Sequence, residues 1–252
     1  MLRWRRPFGL RDERPIGAIP RWVTAGFVAL LAVQVGLRVV SPAPRAAAVD
    51  LEAPPPVPVL QVASLGEPAA LAYGGALRLQ AFDSQPGISL PYALLDYGRI
   101  ERWLEALLAL DPAAQYPLVM ASHLYAQVGG QPEKQRAMSE FVHREFLRDP
   151  DHRWPWLAHV AIMARHRLHD LPRAIRYADA IRDHATGPGV PSWARQMHIF
   201  LREDAGEVEA AKALLGGLLA SGTITDPREI AFLTERLNAM VGDENSTRPS
   251  KP

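Results

Sequence analysis

Four prolines set a period on this chain. Pro112, Pro150, Pro188 and Pro227 lie 38, 38 and 39 residues apart, and Asp precedes three of them. A second series, Ile100, Ala137, Ala174 and Ala211, advances by 37 residues at each step. Two landmarks keeping step across residues 100–227 point to a repeated supersecondary unit, one that cannot bury its apolar face alone and stacks on its neighbours to do so.

Between the landmarks, apolar residues recur at helical spacing. In a segment starting near Asp96, Ile100, Trp103, Leu104, Leu107 and Leu108 share one side, while Arg99, Glu101, Arg102 and Glu105 share the other. The same reasoning predicts helices over 67–82, 116–128, 133–147, 154–169, 171–184, 192–204 and 207–221, with 83–91 as loop and Asp149-Pro150 as the end of a helical pair. Asp170 is placed to cap one of them, since Pro172 is tolerated in the first turn. Asp226-Pro227-Arg228-Glu229 combines a capping Asp, a proline at the first helical position and a Glu three residues after the cap. The helix it opens carries Ile230, Leu233, Leu237 and Met240 on one face, suited to closing the exposed end of a stack. The expected fold class is all-α, an array of antiparallel helical hairpins.

A different signal governs the N-terminus. Sixteen residues from Trp22 to Leu37 carry no charge, and Val39 and Val40 extend the apolar run beyond Arg38. That is near the short limit of about 17 residues for a bilayer span, with Trp22 at the interface. Residues 1–48 sum to +6 and the rest of the chain to −5, so the total of +1 hides a basic leader on a mildly acidic body. Six Arg precede the span, which places the N-terminus in the cytoplasm by the positive-inside rule. A cleaved signal peptide competes with this reading, because Ala46-Ala47-Ala48 offers small residues to a peptidase. The long basic region and the distance of those alanines from the apolar run favour an uncleaved anchor.

The expected organisation is therefore a cytoplasmic basic segment (1–21), a transmembrane signal-anchor helix (22–40), a Pro/Ala-rich extended linker (41–66), a helical repeat domain (67–241) and a disordered tail (242–252). Basic residues are 25 Arg against 3 Lys, a bias that suits a GC-rich bacterial genome. The repeat domain would then lie in the periplasm, tethered to the inner membrane. Without cysteine the chain has no disulfide, thiolate metal site or cysteine nucleophile. Lacking a basic stripe, the body is unsuited to nucleic acid.

The paired helices, the small residues Ala137, Ala174 and Ala211 in second helices, the turns at Gly129-Gly130, His169-Asp170 and Gly206, and Leu110-Asp111-Pro112 and Asp149-Pro150 after second helices together resemble tetratricopeptide-like repeats. The resemblance covers residues 67–240, with repeats of 37 to 39 residues where that family usually has 34. It implies a right-handed solenoid whose first helices line a concave groove for a peptide or a partner's helix. The groove-facing set it implies is Ser122, Trp156, His159, Met163, His166, Trp193, Gln196 and Phe200. Aromatic and Met side chains with a few polar groups suit such a surface. The same aromatics could instead pack between neighbouring pairs.

Chemistry beyond binding has one candidate. His159, His166 and His169 are spaced seven and three apart on one predicted helix, which would put three imidazoles roughly on one face, where they could share a metal. No nucleophile elbow and no Gly-rich loop between strand and helix occurs in the sequence. The leading expectation is a non-enzymatic, membrane-tethered protein-interaction scaffold without a cofactor, supporting an envelope or membrane assembly; the alternative is a metal-binding protein.

Overall fold

The computed structural model describes residues 19–41 and 48–247, with side chains to residue 241. The expected basic segment thus lies almost wholly outside the described residues, as do residues 248–252 of the expected tail; residues 242–247 are helical. The chain divides into two compact units, 1–47 and 48–252. In the first, α1 (Arg21–Val40) runs for 20 residues with no side chain buried. At 1.5 Å per residue it is about 30 Å long, and by length and composition it can cross a membrane.

The second unit is helical apart from one two-stranded hairpin. Its opening differs from the expected spacer. Residues 48–52 are docked: Gln85 hydrogen-bonds both backbone groups of Val49 at 2.8 Å, Arg99 donates to the Leu51 carbonyl, and the Trp103 indole donates to that of Glu52. A short helix, α2 (Val57–Ala63), follows the proline run and buries Leu60 against Ala72, Ala106 and Leu110. Proline composition hid this because Pro58 sits in the first turn, where its missing N–H costs nothing.

Next come α3 (Pro68–Gln80), a 3₁₀ turn, and the antiparallel strands β1 (Ser84–Gln85) and β2 (Ile88–Ser89) within the stretch expected to be loop. Helix α4 (Tyr97–Leu110) starts where the Asp96 carboxylate accepts the Arg99 N–H. Gly75 lets α3 approach α4 closely: a Cβ there would stand 2.6 Å from the Leu107 methyl Cδ2. The helix expected over 116–128 is instead α5 (Tyr116–Val119), a π-helical turn over Met120–Leu124 and a 3₁₀ turn over Tyr125–Gln127.

Six further helices follow: α6 (Pro132–Phe146), α7 (Pro150–His166), α8 (Leu171–His184), α9 (Ser192–Asp204), α10 (Val208–Ala220) and α11 (Pro227–Thr247). Two boundaries of α7 correct the sequence reading. Asp149-Pro150 opens this helix rather than only closing the pair before it, and Pro155 lies inside it. At the other end the helix stops at His166, and His169 adopts φ 51° in the turn before α8.

Consecutive helices pack on one another from α6 to α11. Alternate helices are also joined. On one side Glu101 of α4 pairs with Arg144 of α6, and Glu140 of α6 pairs with Arg173, Arg176 and the Tyr177 hydroxyl of α8. On the other, α5 and its π turn contact α7, α7 contacts α9, and α9 contacts α11. The partners in these hydrogen bonds are separated by 33 to 43 residues, about one period of the sequence. Of the 37-residue series, Ile100, Ala174 and Ala211 are fully buried, whereas Ala137 is half-buried because Met138 and Phe141 take the inner positions of α6.

Candidate partner-binding surface

The residues expected to line a groove fall on α5 with its π turn, on α7 and on α9. The first cluster forms where the π turn meets α7. The His123 and His159 rings stack at 3.7 Å between centroids and 15° between planes, and the Trp156 indole stands edge-on to His123 at 5.7 Å. Three hydrogen bonds fix the cluster. Trp156 Nε1 donates to Gln115 Oε1 at 2.7 Å, the Gln127 amide lies 3.1 Å from His159 Nε2, and Ser122 Oγ lies 2.8 Å from His123 Nδ1. Burial lowers the pKa of His123, and burial first, then His123 and Arg167, pushes that of His159 down to about 4. Lowering both pKa values favours the neutral forms, which stack without like-charge repulsion. The cluster offers flat π faces, carboxamides and the edge of an indole, with Arg167 as the nearby cation and, among the described residues, no carboxylate bound to either ring.

Sequence reasoning placed Ser122 in this surface, but the structure makes Ser122 fully buried, its hydroxyl donating to the Leu118 carbonyl at 2.7 Å. His123 takes the exposed role. The physical reason is the π turn, which accommodates one extra residue per turn and rotates the residues after it by about one position. His123 precedes His159 by 36 residues where the sequence period is 37, and that one-residue slip was the available signal.

The second cluster links α7 to α9. Trp193, 53% exposed, stands edge-on to Trp154 at 5.4 Å. Met163 is half-buried and His166 is exposed. Farther along, Phe200 of α9 lies 6.3 Å from Phe232 of α11. A cavity of about 780 Å³ opens between α9, α10 and α11, with Ile199, Leu214, Leu218 and Ile224 on its apolar walls. At its edge Glu229 accepts from Ser192 Oγ at 2.9 Å and from Gln196 Nε2 at 2.6 Å. Gln196 is thus buried and occupied, while Arg195 faces the cavity. Gln115 and Gln127 were not singled out in the sequence, and Glu229 was read only as part of a helix start, because each finds its partner 32 to 41 residues away.

The metal alternative is not assembled. His159 is held in its stack, His166 points into solvent, and the left-handed turn takes His169 off the helix that would have aligned it with His166. Among the described residues no group of three His, Asp or Glu is gathered that could hold a metal ion.

Neither protein-family models, nor curated proteins, nor solved structures give a match to this chain.

Proposed function

We propose that this chain is a membrane-tethered, non-enzymatic scaffold that uses a tetratricopeptide-like solenoid to hold a peptide or a partner's helix against the row formed by α5, α7, α9 and α11. The observation that carries the reading is the row itself. Aromatic side chains recur on alternate helices about one period apart: Trp156 and Trp193 are separated by 37 residues, and the amides Gln115 and Gln127 lie beside the first of them and beside His159. Flat rings and neutral hydrogen-bonding groups give a partner contact area and direction without the desolvation cost of charges. The apolar helix α1 supports a single-pass anchor. With the basic residues before the span, the body would face the periplasm of a bacterial cell, where it would support an envelope or membrane complex.

Trp193 is the decisive residue because it is exposed and its indole meets the body through an edge-on contact with Trp154, so replacing it leaves the core intact. Crosslinked pull-down from native membranes is expected to recover a partner with the wild-type chain. Trp193→Ala should weaken its recovery by roughly fivefold to thirtyfold, the cost of one aromatic anchor at about 1–2 kcal/mol. Undiminished recovery of the same partner by folded Trp193→Ala, combined with Trp156→Ala, would move the binding site off this row.

A further inference from the structure

Helix α2 and the turn that follows it carry exposed apolar side chains, and we propose that this ridge seats in a lipid surface. The inference rests on reading α1 as a membrane span. Leu60 faces inward, whereas Val59, Val62 and Leu65 on the outer side are 55%, 79% and 92% exposed. No charged residue occurs anywhere from 53 to 66. Exposed helical surface without a single charge is poorly suited to water. Leu65 adds a second oddity: it holds φ 51°, a left-handed conformation where Gly or Asn is the usual occupant. A leucine that is both strained and almost fully exposed gains nothing from water; a hydrocarbon neighbour would reward it.

Chain length decides which hydrocarbon. Ten residues separate Val40, the end of α1, from Leu51, which is docked on the body. Eleven Cα steps reach about 40 Å at full extension. The chain therefore lets Leu51 stand at most about 40 Å from the end of α1, and α2 begins six residues after Leu51. Charge decides the lipid. No Lys or Arg lies between Arg45 and Arg78, while Asp50, Glu52 and Glu67 flank the ridge. Attraction to anionic headgroups is thus absent, and the occupant is the headgroup–acyl boundary of a zwitterionic surface, entered to the shallow depth of an interfacial helix.

Because the chain has no cysteine, single-cysteine labelling is clean. The full chain is reconstituted in phosphatidylcholine vesicles with an environment-sensitive fluorophore at Val62→Cys or Leu65→Cys. Glu235→Cys, exposed on α11, serves as an aqueous control and Ala32→Cys as a control within α1. Far-UV circular dichroism checks that each labelled chain is folded. Lipids brominated high on the acyl chain should quench residues 62 and 65 more than deeply brominated lipids do, leave 235 unaffected, and show the opposite depth order at 32. Added anionic lipid should weaken the effect at 62 and 65. If 32 is quenched while 62 and 65 behave like 235, the ridge does not touch lipid and the inference fails although the span stands. No quenching at 32 overturns the span, and the inference with it. Shielding of 62 and 65 in native membranes alone, and not in pure lipid, assigns the ridge to a membrane protein instead and equally overturns the lipid contact.

Discussion

Glu145 and Arg153 carry opposite charges into the interior and are only 1% and 4% exposed. Arg153 Nη1 donates to Glu145 Oε2 at 2.8 Å and also to the Glu145 carbonyl, and Nη2 donates to the Pro112 carbonyl, while Nε finds no partner among the described groups. The pair fastens α6, α7 and the turn after α4, but its net worth is limited by the desolvation of both ions. Glu145→Ala is therefore expected to cost about 3–5 kcal/mol in urea denaturation by stranding Arg153, whereas replacing both with Leu and Met should come out near neutral. Equal losses in the single and double variants would refute this. His159 gives a prediction in pH. Its folded pKa of about 4 lies below the ordinary 6.5, so between those values the unfolded chain binds the extra proton. Stability from this ring is complete above about pH 6.5 and is lost as pH falls towards 4. Among the described residues no carboxylate faces the stack to offset this: its neighbours are His123, Trp156, Gln127 and, as the charge, Arg167. Asp183 is held below the ordinary carboxylate range by the Arg182 guanidinium. His159→Gln should flatten the decline in unfolding free energy between neutral pH and about 4.5 by on the order of 1–2 kcal/mol, after allowing for solvent screening of a half-exposed ring. An identical slope in the variant would mean that other histidines carry it.

Adjacent glycines in α3 separate two effects that act on a helix. Gly74 has no heavy atom within 4 Å of an added Cβ, so Gly74→Ala should gain the ordinary helix preference for alanine, about 0.5–1 kcal/mol. Gly75→Ala gains the same preference but drives a methyl against buried Leu107, and overpacking of about 1–3 kcal/mol should leave it less stable than the parent. If both variants stabilise equally in thermal melts, the α3–α4 approach is looser than that distance implies. Elements with strong caps were legible in the sequence. Helix α8 runs from Leu171 as expected because Asp170 both caps it and holds Arg173. Helix α9, which has no side-chain cap, runs over the predicted 192–204 on its apolar spacing alone. The start of α7 was hidden because Pro150 and Pro155 are equally acceptable in a first turn, and only tertiary packing tells which one opens the helix. The π turn left no compositional mark, and it alone turned His123, not Ser122, into the stacking partner of His159. Ala174, at 0% exposure, gives the check on helix phase. Ala174→Arg buries an unpaired charge against α7 and should cost more than about 3 kcal/mol, and an unchanged melting temperature would contradict the phase assigned to α8.

For the whole molecule, an apolar run near the N-terminus and a recurrence of about 37 residues farther on divide the chain. The 37-residue recurrence of small and apolar positions made the mainly helical character of 67–240 readable, because apolar residues at helical spacing mark the buried faces of helices. Docking of residues 48–52 and α2 was not readable, since two leucines, Leu51 and Leu60, decide it amid six prolines that suggest a spacer. Orientation rests on charge alone. Helix α1 can span a membrane, and Arg3, Arg5, Arg6, Arg11, Arg14 and Arg21 precede it, whereas only Arg45 follows before residue 78 apart from Arg38 within the helix. Translocating six guanidinium groups is disfavoured relative to retaining them. An alkaline phosphatase fused after Pro252 should therefore be active and a cytoplasmic reporter at the same place silent. An epitope at Met1 should stay with the full 27.8 kDa chain in the membrane fraction, since an uncleaved anchor keeps its basic leader. Replacing the first five arginines with glutamine removes most of the asymmetry, so a fraction of that variant should invert and light the cytoplasmic reporter. Activity of the cytoplasmic reporter in the unaltered chain would reverse the topology. Loss of the epitope with release of the body would instead make α1 a cleaved signal sequence and leave the helical body untethered.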